Sequence, residues 1–365
     1  MWRELTVIIP YSGRPEFLKR QLKFYEAIKF NPKIILLPAC ENDVLRLKED
    51  NFLETLEIDV DLVEPLPPKQ QQVADSLQLN SRAPLRLRIE VGINLAQTPF
   101  VIMGSDDDFL CAEGVAAAIK LLRSNDSAVS ARGLTAFLTV RNSASLPTAK
   151  SHGSFVDLWV RSSEYEVTGS TPTLRANDFM RSCDTKDLWN QWHAVVRRDC
   201  LSQIIEDLGD QLDSDFVLWE LGLQLGLLKY GTCVVTPSVS YVRQLGTSQL
   251  TRGLNEQNSL KVRIGDSEGE QQFILMLSQL GMTETSSEIL DTFRSWLSAH
   301  SQTLSREGRI KSRLKVVRDV FLFHLRGTPP RFLKFAWFIT HKQKNDEFTR
   351  LKPWKNADIS KAILD

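Results

Sequence analysis

The sequence predicts an α/β fold in which a mostly parallel sheet is flanked by helices. Short apolar runs that suit buried strands alternate with stretches in which apolar residues recur at helical spacing. Turns rich in Gly, Pro, Asn and Asp separate these segments. Such alternation favours parallel strands whose connecting helices cover both faces of the sheet.

The alternation is clearest in the first part of the chain. Apolar runs predict strands at 5–10, 33–38, 57–63 and 100–103. Helical spacing predicts helices from Pro15 and over 41–53, 70–97 (in two pieces) and 113–123. In such sheets ligands bind beyond the carboxyl ends of the strands. Because the turns at 11–14, 39–42 and 106–108 follow three of these strands, we expect them to meet at one crevice.

Composition narrows the class of protein. The chain has 365 residues, is 42% hydrophobic and 25% charged, and has a formal net charge of zero, as expected of a globular protein with no general affinity for nucleic acid. Its five cysteines have neither zinc-ligand nor disulfide-framework spacing, which favours a reducing cytosol. No signal peptide or 18-residue apolar stretch is found, so we expect a cytoplasmic protein.

The C-terminal region is locally basic. Between residues 305 and 356, fourteen Lys and Arg residues stand against four Asp and Glu residues, interleaved with large apolar side chains. A helix of this composition has one apolar and one basic face, and it can bind peripherally to the anionic inner face of a membrane. The alternative is a helix packed on the rest of the chain with its basic face in water. No nucleic-acid recognition motif accompanies it, so no nucleic-acid partner is expected.

A triplet of carboxylates follows the apolar run at 100–103. Asp106, Asp107 and Asp108 come directly after Gly104 and Ser105, which allow a tight turn. Clustered carboxylates repel one another unless a cation or hydrogen-bond donors offset the charge. Oxygen ligands suit Mg²⁺ or Mn²⁺, and Mg²⁺ usually needs only one or two carboxylates plus substrate phosphates. The alternative is a turn in which Asp108 caps the next helix.

Three segments of the chain resemble the GT-A glycosyltransferases of family 2, which transfer a sugar from a nucleotide donor. They are VIIPYSGRPEFLKRQL, LRIEVGINLAQTPFVIMGSDDDFL and LDSDFVLWELGLQLGLLKYG, within a resemblance that spans roughly residues 5–241. The middle segment carries the family's donor-metal pattern, in which Gly92 and Asn94 precede a hydrophobic strand and Asp106-x-Asp108 follows it.

The resemblance implies a GT-A type sheet with a helical C-terminal extension. The catalytic domain is expected over 1–253, with a half that binds nucleotide sugar and metal (1–125) and an acceptor half (126–253). The extension, helical and basic, is expected over 254–365. The whole is expected to be an enzyme, a glycosyltransferase of hexosyltransferase type.

The resemblance also implies a set of site residues at the ends of the first strands. The expected donor-binding residues are Pro10, Tyr11, Arg14, Glu41, Arg88, Asn94, Asp106 and Asp107. The expected ligands of a Mn²⁺ or Mg²⁺ cofactor are Asp106 and Asp108, and this metal would neutralise charge as the nucleoside diphosphate leaves.

The third segment resembles the family's acceptor-side motif, in which an Asp is the general base. Asp213 matches that position best because Phe216 falls where the family has an apolar residue, but Leu212 stands where the family usually has an acid. The base is therefore Asp213 or Asp215. A carboxylate must take the proton of the acceptor hydroxyl as it attacks the anomeric carbon, and one base without a covalent nucleophile inverts the configuration. The alternative is that both residues cap the following helix.

Together these observations predict an inverting, metal-dependent glycosyltransferase that acts in surface polysaccharide or glycolipid synthesis. Its partners would be a nucleotide-sugar donor and a saccharide or lipid-linked acceptor. Two alternatives remain: a nucleotidyl or phosphoryl transferase that uses the same carboxylates, and a non-catalytic binding protein with a GT-A-like fold.

Overall fold

The computed structural model describes residues 1–65, 85–140, 156–161, 166–182, 190–209, 216–244, 267–283, 287–292, 294–295 and 348–350. The strands are β1 (Leu5–Tyr11), β2 (Lys33–Pro38), β3 (Val60–Leu62), β4 (Phe100–Met103), β5 (Phe109–Leu110), β6 (Ala128–Val140), β7 (Val156–Arg161), β8 (Val195–Arg197), β9 (Thr232–Gln244) and β10 (Phe348–Arg350). The α-helices are α1 (Pro15–Ala27), α2 (Glu41–Lys48), α3 (Leu85–Leu95), α4 (Ala112–Ser124), α5 (Pro172–Ser182), α6 (Arg198–Leu208), α7 (Phe216–Tyr230) and α8 (Ser267–Gln279).

The strands form one sheet with a parallel half and a mixed half. Its order is β10-β7-β6-β8-β4-β1-β2-β3, and β9 pairs with β6 and β5 outside this path. β1 pairs in parallel with β2 on one side and with β4 on the other. The chain adds β2 and β3 on one side of β1 and then returns to add β4 on the other side. Ligands of open α/β sheets bind at such a switch point, beyond the carboxyl ends of the strands.

The central strands are buried on both faces, which explains their continuous apolar runs. Side chains alternate across the sheet. In β4, Phe100 and Ile102 pack with the helices on one face, whereas Val101 and Met103 pack with those on the other. The predicted α/β fold with helices on both faces is confirmed, and it agrees with the architecture that the resemblance to GT-A enzymes implies.

Helix α3 packs closely against the parallel half of the sheet. A Cβ atom on Gly92 would lie 2.7 Å from Ile8 Cγ2 and 2.8 Å from Leu37 Cδ1. The glycine therefore allows α3 to approach β1 and β2, which positions the start of the helix at the carboxyl edge of the sheet.

Several elements differ from the sequence prediction in extent. β6 and β9 are each 13 residues long and pair with each other in parallel along most of their length. β3 is shorter, since it is an edge strand with half-exposed side chains. The predicted helix over 41–53 ends at Lys48, and a 3₁₀ helix follows over Glu49–Thr55.

The C-terminal extension contributes a helix and a strand to the described structure. Helix α8 joins the core beside α6 and α7 through Phe273, Met276 and Leu277. β10 pairs antiparallel with β7, so a short part of the basic region is a strand at the edge of the sheet. The rest of the region 305–356 lies outside the described residues. None of the described helices is long and apolar enough to cross a membrane. The division into domains stays a prediction.

Candidate functional site

The Asp triplet lies in a tight turn between β4 and β5, against the end of β1. The backbone N–H of Gly104 donates to the carbonyl of Ile8 over 2.8 Å. A Cβ on Gly104 would lie 2.8 Å from Ile9 Cγ1, so a side chain here would push the turn away from β1. All three carboxylate residues are buried. Their electrostatic repulsion must therefore be offset by groups within the protein or by a ligand.

Arg14 supplies one such offset. It is the residue before α1, and its guanidinium spans two of the three carboxylates. Nε donates to Asp106 Oδ2 over 3.1 Å, Nη2 donates to Asp106 Oδ1, and Nη1 donates to Asp107 Oδ2 over 2.8 Å. Ser105 Oγ donates to the other oxygen of Asp107 over 2.6 Å. The predicted donor-binding residue Arg14 is thus brought together with Asp106 and Asp107.

Asp108 is held by the opposite side of the site. The backbone N–H of Gln244 donates to Asp108 Oδ1 over 2.7 Å, and the Tyr241 hydroxyl donates to Oδ2. Both partners belong to β9, which pairs with β5 directly after the turn. Asp108 therefore anchors the turn to the mixed half of the sheet. The alternative role, in which Asp108 caps the next helix, is not found, because α4 begins after Cys111 without a side-chain cap.

Further polar groups surround the turn. The Gln21 amide, on α1, donates to the carbonyl of Ser105 over 2.6 Å and to that of Asp108. Arg20 packs between the rings of Phe17 and Phe109, and Asp107 and Asp108 act on its charge. Arg243 lies near enough to lower the pKa of Asp108. Three arginines, at positions 14, 20 and 243, therefore face three carboxylates.

Burial nonetheless favours the neutral form of two carboxyls. It raises the pKa of Asp106 to about 7, although the Arg14 guanidinium acts in the opposite direction. It likewise raises the pKa of Asp108 to about 7, with the Asp107 charge adding to the effect and Tyr241 opposing it. Perturbed carboxyls in a crevice are typical of functional sites. A cationic ligand that stabilised the ionised forms would find them poised to release protons.

Arg88 and Tyr11 define the edge beside the triplet. Arg88, on α3, is buried, and its Nη1 donates to the carbonyls of Tyr11 and Leu37 over 3.0 and 2.9 Å. It therefore joins the carboxyl ends of β1 and β2. Tyr11 is fully buried, and burial followed by the nearby Asp43 carboxylate raises the pKa of its hydroxyl. Contact of Arg88 or Tyr11 with a donor stays a prediction.

The remaining predicted residues are more dispersed. Pro10 is half-buried in β1 and pairs with Leu37. Glu41 is exposed at the first turn of α2. Asn94 is exposed near the end of α3, the end remote from Arg88, so the structure does not bring it to the triplet. Asp213 and Asp215 precede α7 in the chain and lie outside the described residues.

His193 contacts Tyr241 and the last residue of β4, next to the turn. Its ring stacks on Tyr241 with the centroids 3.8 Å apart and the planes at 17°. Its Nδ1 lies 2.9 Å from the carbonyl of Met103, the last residue of β4, so Nδ1 carries the proton. Burial lowers the pKa of His193 to about 3, so the ring is neutral at physiological pH.

The carboxylates of the turn offer oxygen atoms only to a cationic ligand. The donor set is oxygen only, as Mg²⁺ and Mn²⁺ prefer, and a carboxylate has more acceptor positions than the hydrogen bonds described above use. Among the described residues, no group of three or more His, Cys, Asp or Glu side chains is arranged to hold a metal. A metal here would take one or two carboxylates and complete its shell with substrate phosphates and water. The assignment of Asp106 and Asp108 stays a prediction.

Sequence reasoning missed several residues of this site. Three of them are buried and form hydrogen bonds to the turn of the Asp triplet: Gln21, Tyr241 and Gln244. The fourth, Asp43, is buried and accepts a hydrogen bond from the Gly13 N–H after β1. A signal for Asp43 existed: Val44 and Leu47 set the buried face of α2, and Asp43 lies four residues before Leu47 on that face, whereas Glu41 does not. The contacts of Tyr241 and Gln244 depend on the register of β9, which no local pattern reveals.

No family model matches the sequence. No curated protein matches it either. Among solved structures, the chain is similar to residues 1–349 of TarS from S. aureus, with 13% identity over 82% of this chain and 91% of that chain, at a TM-score of 0.39. It is similar to the same protein in complex with UDP (14% identity, 82% and 91% covered, TM-score 0.39) and with UDP-GlcNAc (14%, 82% and 92%, 0.40). These values are too low to assign a function, so the function must be inferred from the geometry of the site.

Proposed function

We propose that this chain is a metal-dependent, inverting glycosyltransferase of the GT-A type, which moves a sugar from a nucleoside diphosphate donor to a hydroxyl acceptor. The observation that carries the proposal is the pairing of Arg14 with Asp106 and Asp107 at the carboxyl ends of β1 and β4. This edge is where an open α/β sheet binds its ligand, and it offers both a cation and carboxylates for a diphosphate and its metal.

The residues of the turn have distinct roles in this proposal. Asp106 and Asp108 would hold Mg²⁺ or Mn²⁺, which neutralises the diphosphate as it leaves. Arg14, once turned from the carboxylates, binds a phosphate oxygen. Tyr241 keeps the carboxylate of Asp108 in place, and Gln21 fixes the backbone of the turn. A site held in this way needs little reorganisation when charge develops on the leaving group.

The acceptor is deprotonated by Asp213 or Asp215. Both residues directly precede α7 in the sequence. A carboxylate base close to the acceptor hydroxyl raises its nucleophilicity as it attacks the anomeric carbon. The reaction uses no carboxylate as a covalent nucleophile, so the anomeric configuration is inverted.

Product analysis tests this function. Purified protein is incubated with nucleotide sugars, Mn²⁺ and a mixture of saccharide acceptors, and the nucleotide products are separated. Release of a nucleoside diphosphate supports glycosyl transfer, whereas release of pyrophosphate supports nucleotidyl transfer. Asp213→Asn and Asp215→Asn are measured in parallel: the base is the residue whose replacement abolishes turnover while donor binding is retained. No turnover of any nucleotide sugar by the wild-type protein would favour a non-catalytic binding protein.

We also propose that the acceptor is a surface saccharide or a lipid-linked saccharide, which the basic region 305–356 would approach by binding an anionic membrane from the cytoplasmic side. The charge and apolar content of this region support the proposal. Flotation with liposomes that contain anionic lipid compares the full chain with a chain ending at Ser305. Equal flotation of the two would remove the membrane contact and leave the rest of the proposed function intact.

A further inference from the structure

Arg20, on α1, holds its guanidinium between two aromatic rings beside the Asp triplet. Its Cζ atom lies 4.9 Å from the ring centroid of Phe17 and 5.3 Å from that of Phe109. Both distances are within the range of a cation–π contact. Phe109 is fully buried and directly follows Asp108 in the chain. The two rings therefore hold the guanidinium next to one of the three carboxylate residues.

The same guanidinium contacts the end of β9. Its Nη2 donates to Oε1 of Gln244, the last residue of the strand. The backbone N–H of Gln244 in turn donates to Asp108 Oδ1 over 2.7 Å. Gln244 is 7% exposed, so water competes little for either hydrogen bond. Arg20 is thus connected to the Asp108 carboxylate through one intervening residue.

Placing a cation between these rings costs free energy. Burial lowers the pKa of Arg20 to about 10, although the charges of Asp107 and Asp108 act in the opposite direction. Its Nε is buried and has no hydrogen-bond partner among the described residues. A buried donor without an acceptor is destabilising. An apolar side chain would avoid both penalties, so stability alone does not account for an arginine at this position.

Asp108 needs support from its neighbours because the pairing of the two strands ends beside it. β5 is two residues long, and its ladder with β9 ends at the pair Phe109 and Val242. The next contact between the strands is the hydrogen bond from the Gln244 N–H to the Asp108 carboxylate. An ionised carboxylate has about four acceptor positions. The direction of this hydrogen bond therefore determines where the remaining positions lie.

We propose that Arg20 is a positioning residue for the metal: together with the Gln244 side chain, it orients the Asp108 carboxylate toward a bound Mg²⁺ or Mn²⁺. This inference rests on the proposed function, in which Asp108 is a metal ligand. Replacing groups that orient metal ligands through hydrogen bonds typically costs about tenfold to a hundredfold in metal affinity. Arg20 itself contacts neither metal nor substrate. Arg14, by contrast, turns from the carboxylates to bind a phosphate oxygen.

Two variants that conserve the charge of the site test the proposal. Arg20→Lys keeps the positive charge but loses the planar guanidinium that stacks between the rings. Gln244→Ala removes the acceptor of the Arg20 hydrogen bond and keeps the backbone N–H that Asp108 uses. Because neither changes the net charge, the electrostatic repulsion of a metal ion stays the same. If one of the two does not fold, the other remains decisive.

The measured quantity is the Mn²⁺ concentration that gives half-maximal nucleotide binding in equilibrium dialysis. The nucleotide is whichever of UDP, GDP, CDP and ADP the wild type binds most tightly. We expect this concentration to rise roughly tenfold in each variant. A loss of folded protein would lower the amount of nucleotide bound without moving the half-maximal concentration, so a purely structural role of Arg20 is distinguished.

Lys19→Arg is the matched control. Lys19 precedes Arg20 on α1, and its Nζ lies 5.5 Å from the ring centroid of Phe52, which belongs to the 3₁₀ helix after α2. The control therefore exchanges one cation for another above an aromatic ring of a different element. It should leave the half-maximal Mn²⁺ concentration unchanged.

The double variant Arg20→Lys/Gln244→Ala tests whether the two side chains act as one unit. If they do, it loses about as much Mn²⁺ affinity as either single variant, because the second change removes an interaction that is already broken. Losses that multiply would overturn the link between them. Wild-type Mn²⁺ dependence of both single variants would overturn the inference and leave the proposed function intact. Nucleotide binding by the wild type that is absent or independent of Mn²⁺ would instead overturn the proposed function, and the inference with it.

Discussion

The ion pairs of Arg14 determine how the Asp triplet tolerates burial. Replacing Arg14 with Gln removes the guanidinium from Asp106 and Asp107 and leaves both carboxylates inside the protein. Arg14 is 15% exposed and its partners are 6% and 7% exposed, so water screens the charges only weakly. Breaking a buried ion pair by removing one partner costs about 3–5 kcal/mol, and we expect about 3 kcal/mol at pH 8 because Arg14 retains some contact with water.

The loss of unfolding free energy in Arg14→Gln should depend on pH. Burial raises the pKa of Asp106 above its ordinary 3.8 to about 7, so its contribution to stability is present below pH 3.8 and lost as the pH rises through 7. Since Arg14 acts to lower this pKa, the variant will have a higher one and will be penalised most where the carboxyl must ionise. Urea unfolding at pH 5 and pH 8 should show a smaller difference between wild type and Arg14→Gln at the lower pH.

Two comparisons isolate the charge effect. The double variant Arg14→Gln/Asp106→Asn should recover part of the lost stability, because one of the uncompensated carboxylates is gone. Mn²⁺ should raise the urea midpoint of Arg14→Gln more than that of the wild type, because a cation then fills the place of the guanidinium. A loss that is below about 1 kcal/mol, the range of exposed ion pairs, and equal at both pH values would refute this reasoning.

Three further changes have defined outcomes. Replacing His193 with Asn keeps a hydrogen-bond donor but removes the imidazole group that titrates. Burial lowers the pKa of His193 to about 3, so the unfolded chain binds a proton that the folded protein does not. The stability of the wild type relative to the variant should therefore fall by about 1.4 kcal/mol per pH unit from pH 6 to pH 4. Parallel pH curves would contradict this. Gly114→Ala would bring a Cβ to 2.1 Å from the Val239 carbonyl, so urea unfolding should show a loss of about 2 kcal/mol or more, whereas unchanged stability would mean that α4 is farther from β9. Tyr241→Phe leaves Asp108 without one donor and should cost about 1–3 kcal/mol at pH 8, with a smaller loss at pH 5; an equal loss at both would assign the effect to packing.

The sequence revealed those parts of the fold that local patterns encode. The strands over 33–38 and 100–103 end where their apolar runs end, since side chains buried on both faces leave no room for polar residues. The full lengths of β6 and β9 were not predictable, because each extends through less apolar residues by pairing with the other. Strand pairing between distant segments overrides local preference.

The candidate site shows the same limit. The turns of the triplet and of Arg14 follow predicted strands, and the structure brings these side chains together through hydrogen bonds. The partner of the Asp108 carboxylate was not predictable, because Tyr241 lies 133 residues away and reaches it only through the pairing of β5 with β9. The contact of Asp43 with the Gly13 N–H was missed, although the apolar residues of α2 encode the helix phase that buries Asp43.

Calorimetric titration of a nucleoside diphosphate with Mn²⁺ tests most directly whether the triplet is a donor site. Wild type, Asp106→Asn and Asp108→Asn are compared with Asp126→Asn, whose carboxylate is fully exposed and remote from the turn. We expect the wild type and Asp126→Asn to bind equally, EDTA to weaken the binding, and each of the two turn variants to lose affinity for both nucleotide and Mn²⁺. Binding by both turn variants with wild-type affinity and wild-type metal dependence would contradict it.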